Sequence, residues 1–357
     1  MLVLRPFIRQ VVFRAARPHF IATPRYSSTL AEDVRSDSTF RIPLIDFAAY
    51  KQATSLADKR RIADDIVNGF KEVGFVYLTG HVIEPETVNH SAEFFRLSEE
   101  TKARLAWDDP KANRGYVQVG RERVTTSMDA AEIAVLRAKA PDTKESMEIG
   151  RENHPTFSNK WPQESEVPGF KQTMLHFFQT CHEVHIMVMK SIALGLDLPE
   201  DFFDNKIDRQ DHNLRLLSYP PIRTSLLRSD GQARAASHTD YGTLTLLFQD
   251  SIGGLEVQNP HTKHYQPASP IPGTIVVNAG DLLARWSNDI LRSTLHPKIN
   301  ATEGMTPARQ SIAFFCNPNF DAIIESLPTC TSTSNPSRYP PLTTEQYIVG
   351  RLAATYS

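Results

Sequence analysis

Apolar side chains recur at three- and four-residue intervals through much of the first 200 positions, and at every second position after about 210. The chain therefore reads as helices followed by strands. Arg41-Ile42-Pro43-Leu44-Ile45-Asp46 is a short opening strand, and Leu56, Ala63, Ile66, Phe70 and Val73 keep helical spacing up to Gly74. Phe75-Val76-Tyr77-Leu78 is a second strand, ended by a Thr79-Gly80 turn, and a further helix is expected after Pro85. Positions 107–165 are polar with weak periodicity. The best helix lies near 169–194, where Phe170, Met174, Phe177, Cys181, Val184, Val188 and Ile192 form one stripe and Gly195 supplies the stop. Strands are expected at 213–219, 243–248, 254–258, 274–278, 291–296 and 309–315. The Ser-, Thr- and Pro-rich stretch 328–342 should be loop before a last short helix. Helices first and many short strands after imply an α+β fold whose strands close into a sandwich or jelly roll.

Charge divides the chain unevenly. Residues 1–31 hold five arginines (Arg5, Arg9, Arg14, Arg17, Arg25) and no acid, the first acid being Glu32. Taking those five from 39 basic residues leaves 34 against 41 acids, a net −7 for the remainder. Leu2, Leu4, Phe7, Ile8, Val11, Val12 and Ala15 share one helical face in this segment. An Arg-rich, acid-free amphipathic start running into Ser27-Ser28 has the pattern of a mitochondrial transit peptide, which implies matrix localisation, engagement of the import machinery and a mature start near Ser28. A bare basic extension on a cytoplasmic protein is the alternative. No downstream Lys/Arg cluster suggests nucleic acid, and no apolar run is long enough to span a bilayer. Three cysteines without CxxC spacing make neither a disulfide framework nor a zinc site and fit a reducing compartment.

The chemistry concentrates in Ser237-His238-Thr239-Asp240-Tyr241-Gly242. His238 and Asp240 are two apart, so on extended chain both side chains leave the same face. His296, at the end of another β-like run, supplies a third ligand. Two histidines and one carboxylate on one face of an ion form the facial triad of non-haem Fe(II) oxygenases. A second pattern has matching parity: Arg309, Ser311, Ala313 and Phe315 share one strand face, and Asn213, Arg215, Leu217 and Tyr219 share another. An arginine pointing into an apolar barrel is costly unless an anion meets it, and a guanidinium suits bidentate capture of a carboxylate.

HxD, the distal histidine and Arg309-x-Ser311, in this order and spacing, resemble the Fe(II)/2-oxoglutarate-dependent dioxygenases of the isopenicillin N synthase-like group, over about 40–350. The resemblance implies a double-stranded β-helix (jelly-roll) core at 208–320, an N-terminal dioxygenase segment at 40–165, a supporting helix at 166–200 and a C-terminal loop and short helix at 321–357. It also implies Fe(II) on His238, Asp240 and His296, and 2-oxoglutarate held through its C5 carboxylate by Arg309, Ser311 and Tyr219. O2 is the further cosubstrate and ascorbate an accompanying reductant. Pro297 departs from the group, whose members usually carry arginine there. Asn113-Arg114-Gly115-Tyr116, Glu148-Ile149-Gly150-Arg151-Glu152, Gly280-Asp281-Leu282-Leu283 and the terminal Arg351-Leu352-Ala353-Ala354 are similar to the pyrimidine-hydroxylating fungal members. That similarity implies a small-molecule substrate such as thymine, met by Arg215, Tyr241 and Phe315 with Asn317 nearby. A secondary metabolite, another mitochondrial small molecule, an oxidase that does without 2-oxoglutarate, and a non-catalytic binding protein are the other readings.

Three further motifs read as structural. His182-Glu183-Val184-His185 has one residue too few for a zincin HExxH, which puts its histidines on the polar face of the long helix. Gly253-Gly254 is a turn without a phosphate-cradle follow-up, and His261 and His264 flank a polar hairpin.

Overall fold

The computed structural model describes residues 40–81, 86–109, 112–120, 143–223, 235–298 and 305–356. The leader at 1–31 lies outside the described residues. In chain order the strands are β1 (Leu44–Asp46), β2 (Phe75–Thr79), β3 (Gly115–Val117), β4 (Glu145–Gly150), β5 (Asn213–Tyr219), β6 (Ile222–Arg223), β7 (Ala235–His238) and β8 (Leu244–Gln249). They continue as β9 (Glu256–Gln258), β10 (Tyr265–Pro267), β11 (Ile275–Ala279), β12 (His296–Lys298), β13 (Met305–Thr306), β14 (Arg309–Cys316), β15 (Ile323–Ile324) and β16 (Leu342–Thr343). Eight of them form one sheet in the order β1-β2-β11-β8-β14-β5-β4-β3, and the pairs β7/β12, β9/β10 and β6/β13 supply shorter ladders. This is the expected α+β jelly-roll arrangement.

The two faces of the large sheet differ in chemistry. Val76, Val277, Leu246, Phe314, Leu214 and Ile149 stand side by side across six strands, all fully buried. The neighbouring row, Phe75, Asn278, Thr245, Phe315, Asn213 and Gly150, faces the other way and is laced with polar groups. The apolar row receives the long helix Phe170–Gly195, whose Phe178 meets Phe314 edge-on at 5.0 Å and whose Phe177 meets Phe248 at 4.9 Å. Each large side chain buried there stabilises the fold by roughly 1.5–3 kcal/mol. The helix Leu56–Glu72, capped by Ser55 Oγ accepting from the Asp58 N–H at 3.1 Å, covers the long helix from its other side.

The strands expected at 213–219, 243–248, 254–258, 274–278 and 309–315 form within a residue or two of those bounds. Three differences stand out. Residues 291–295 are irregular, and the strand begins only at His296. The polar region 107–165 contains β3 and β4, and β4 is a full member of the large sheet. The long helix is also buried on more than one stripe: His182 is 5% exposed and His185 fully buried, so the polar-face reading of that motif is corrected.

Candidate metal centre

Two segments converge on the site. β7 ends at His238, Asp240 follows two residues later, and β12 places His296 directly opposite His238. His238 Nε2 lies 3.8 Å from Asp240 Oδ1, and His296 Nε2 lies 3.7 Å from Asp240 Oδ2. One ligand atom from each of the three falls within 4.8 Å of the others. The protons are arranged for ligation. His296 Nδ1 donates to the Thr294 carbonyl at 3.0 Å, which leaves the Nε2 lone pair facing the centre. Asp240 Oδ2 accepts from Thr245 Oγ1 at 2.6 Å and from Asn278 Nδ2 at 2.8 Å. Burial alone would raise the Asp240 carboxyl, but His296, His238 and those two hydrogen bonds outweigh it and hold it below the ordinary carboxylate range. One carboxylate and two imidazole nitrogens brought together in this way fit Fe(II), with three positions left for other ligands.

Supporting contacts fix the ligand segments. Gly74 at φ +81° lets the chain pass under Thr294, whose hydroxyl donates to the Val73 carbonyl at 2.7 Å; a side chain at 74 would overlap it. Asp281 ties both segments together, accepting from Thr239 Oγ1 at 3.2 Å and from Ser293 Oγ at 2.7 Å. It also accepts from the Tyr347 hydroxyl at 2.8 Å, which docks the C-terminal helix Thr344–Tyr356. Asp281 had only its place in a motif to mark it, because its partners are distant in sequence.

Further along the same face, Arg309 is 2% exposed, stands opposite Tyr219 and lies over its ring at 5.1 Å. Its Nη2 reaches Gln249 Oε1 at 3.4 Å, while Nε meets no acceptor. Ser311 is buried two residues on, between Leu217 and Gln249. Nearer the metal ligands, Arg215 lies over the Phe315 ring at 5.3 Å and its Nε is 2.7 Å from the fully buried Glu148. Tyr241 is half-buried beneath the Arg351 guanidinium at 4.5 Å. Asn317 is committed elsewhere: its Nδ2 donates to the Asp211 carbonyl at 2.8 Å and its N–H to His212 Nδ1 at 3.0 Å.

A second histidine cluster, His182, His185 and His212, sits on the helix side of the sheet and also brings its ligand atoms within 4.8 Å of one another. Its hydrogen bonds oppose ligation. The Asn317 N–H makes His212 Nδ1 an acceptor, so Nε2 carries the proton and donates to His182 Nδ1 at 3.0 Å. A metal on His212 would require an imidazolate. His185 Nε2 donates to Thr243 Oγ1 at 2.9 Å, since that hydroxyl itself donates to the Cys316 carbonyl. These bonds staple the helix to the starts of β5 and β8 and the end of β14, while His185 Nδ1 is buried without a hydrogen-bond partner.

Similarity to known proteins agrees with this geometry. Residues 42–164 match the family described as non-haem dioxygenase in morphine synthesis N-terminal, and residues 210–318 match the 2OG-Fe(II) oxygenase superfamily. The chain belongs to that superfamily and is a 2-oxoglutarate-dependent dioxygenase. The 2-oxoglutarate-Fe(II) type oxidoreductase ppzD of Metarhizium majus is 32% identical over 336 residues, 88% of this chain and 95% of that one. The proline hydroxylase buaE of Petromyces alliaceus is 37% identical over 80% of this chain and 90% of its own length. Among solved structures, the full-length thymine 7-hydroxylase of Neurospora crassa in complex with alpha-KG and thymine is 44% identical, with a TM-score of 0.81 over 90% of this chain and 98% of that one.

Proposed function

We propose that this dioxygenase hydroxylates a flat, carbonyl-bearing small molecule of the pyrimidine class. With Fe(II) bound, 2-oxoglutarate and O2 supply the oxidation: the oxoacid leaves as succinate and CO2, and one oxygen atom enters a substrate C–H bond. Arg309, Ser311 and Tyr219 hold the far carboxylate of the oxoacid. The observation that carries this is Arg309, a buried guanidinium with an unmatched Nε and, among the described residues, no carboxylate of its own chain within 4 Å. Leaving such a group without an anion is expensive. Phe315 offers a ring face for stacking, Arg215 a donor for a ring carbonyl, and Tyr241 borders the opening. The likeness to the Neurospora crassa enzyme solved with thymine supports the ring class. Asn317 is spent on the end of β14 and is left out of the substrate contacts.

Two measurements test this reading. Thymine should release succinate one for one with substrate consumed, and succinate release indifferent to any pyrimidine would overturn the ring class. Arg309→Lys keeps the charge and loses the fork, which should raise the 2-oxoglutarate requirement about 10- to 100-fold. We further propose that residues 1–31 direct the enzyme to mitochondria, on the strength of five arginines without an acid. A reporter carrying those residues should be imported and cleaved near Ser28, and diffuse cytosolic signal would refute the address.

A further inference from the structure

Of the three buried arginines among the described residues, Arg351 faces Asp281 at 3.8 Å. Arg309 is the one assigned above to the oxoacid. The third is Arg114, 8% exposed, in a region that offered no periodicity to read. Its Nη1 donates to the carbonyls of Ala112 and Asn113, each at 2.9 Å, which fixes the plane of the guanidinium. Its Nε is buried without an acceptor, and no carboxylate of the described residues pairs with it. The two acids nearby are already engaged, Glu148 with Arg215 at 2.7 Å and Asp211 with Arg151 at 3.4 Å. Burial pulls the Arg114 pKa down to about 10 while Glu148 props it up, so the group remains charged at neutral pH.

The position of the guanidinium is equally specific. It rests on the Cα of Gly150, where any Cβ would overlap it. Gly150 lies in register with Asn213, Phe315, Thr245 and Asn278, the row whose last two members bond Asp240. Opposed residues in a ladder project to the same side. Arg114 therefore sits on the metal-facing side of the sheet, three strand spacings of about 4.8 Å beyond Thr245, past the Phe315 ring. Asn213 Oδ1, between them, also lacks a donor.

We propose that Arg114 is a second anion-binding residue for the prime substrate, taking a carboxylate at the end remote from the hydroxylated carbon. The Nε/Nη2 edge is the one that matches a carboxylate in two parallel bonds, and it is the edge the chain leaves unused. An N–H of the same ligand would satisfy Asn213 Oδ1. The substrate is then a ring bearing a carboxylated arm, and a bare ring fills only the half of the site near Phe315. This rests on the pyrimidine reading for the ring and on Arg114 alone for the acid.

The test uses an acid and its amide, thymine-1-acetate and thymine-1-acetamide, binding anaerobically to the Fe(II)- and 2-oxoglutarate-loaded enzyme. The acid should bind about 10-fold or more tightly than the amide. Arg114→Gln should bring the two to equal affinity, and Arg114→Lys should restore part of the preference. Gly150→Ala, which keeps the charge and displaces the guanidinium, should also erase the preference and guards against misfolding of the Arg114 variants. Equal binding of acid and amide by the unaltered enzyme, or a preference that survives Arg114→Gln, overturns the assignment. If neither ring compound binds, the pyrimidine reading falls. Phenylacetate against phenylacetamide at saturating 2-oxoglutarate then decides the acid site: a preference that depends on Arg114 upholds it, and none refutes it.

Discussion

Two buried clusters of three residues lie on opposite faces of one sheet, and in plain ligand spacing they look alike. His238, Asp240 and His296 and, behind the sheet, His182, His185 and His212 each bring three ligand atoms within 4.8 Å. What separates them is where the protons and the formal charge reside. In the first, the Thr294 carbonyl takes the His296 Nδ1 proton and Thr245 and Asn278 donate to Asp240, so the His296 Nε2 lone pair and one negative charge face inward. In the second, a backbone N–H enters at His212 and forces the remaining proton into the middle of the cluster. Spacing nominates a metal site, and the surrounding donors and acceptors decide it.

The largest effect that could break this contrast is on metal binding. Asp240→Ala removes the only anion of the inner cluster and should abolish Fe(II) binding and succinate release. His212→Phe should leave one Fe(II) per chain, measured by metal analysis after desalting. Loss of a second metal equivalent in that variant would make the outer cluster a site after all.

Stability is next in size. His212→Phe strands the Asn317 N–H and His182 Nδ1 inside the protein, and each buried group without a partner costs about 1–3 kcal/mol. Urea unfolding should show that loss. Acid should act on the same cluster. Burial pushes His185 down to about 3 and lowers His182 and His212 as well. A histidine whose folded pKa lies below its unfolded value near 6.5 binds a proton more readily when unfolded. Its contribution is therefore intact above about pH 6.5 and drains away as pH falls toward 3, at up to about 1.4 kcal/mol per pH unit for each histidine. The variant lacking His212 should show a shallower loss between pH 6.5 and 5, and parallel curves would show that other groups control acid unfolding.

The same contrast shows what sequence can and cannot carry. The period-2 alternation of β5 and β14 was readable, and with it the inward parity of Arg215, Tyr219, Arg309, Ser311 and Phe315, because the middle of their other faces, Leu214, Leu216, Ile312 and Phe314, is apolar and buried. The HxD spacing was readable because two ligand types two apart on extended chain leave the same face. β4 was not: its inward residues are Ser146, Glu148 and Gly150, and a strand whose buried face serves a site loses the hydrophobic alternation that identifies strands. Arg114 was marked only by its place in a motif of family likeness, since its position depends on Gly150 across the ladder. The helix histidines misled because an amphipathic stripe assumes one buried face, and this helix lies between the sheet and the helix Leu56–Glu72.

The smallest expected effect concerns Pro297. Proline next to a metal ligand removes a ladder donor, and from sequence alone that argues against a regular strand holding His296. The ladder absorbs it locally. β12 pairs His296 with His238 and then Lys298 with Ala235, so two residues of β7, Ala236 and Ser237, stand opposite the single residue 297. The extra residue lies in β7, and a bulge there interrupts the regular ladder opposite residue 297, where a residue without an N–H is tolerated. The ligand is also held independently of that residue, through Nδ1 to the Thr294 carbonyl and through Phe75, which meets the His296 ring edge-on at 5.4 Å. Pro297→Ala should therefore shift Fe(II) affinity by no more than about twofold, within about 0.5 kcal/mol. A tenfold change in the Fe(II) titration would mean that the bulge itself aims the histidine.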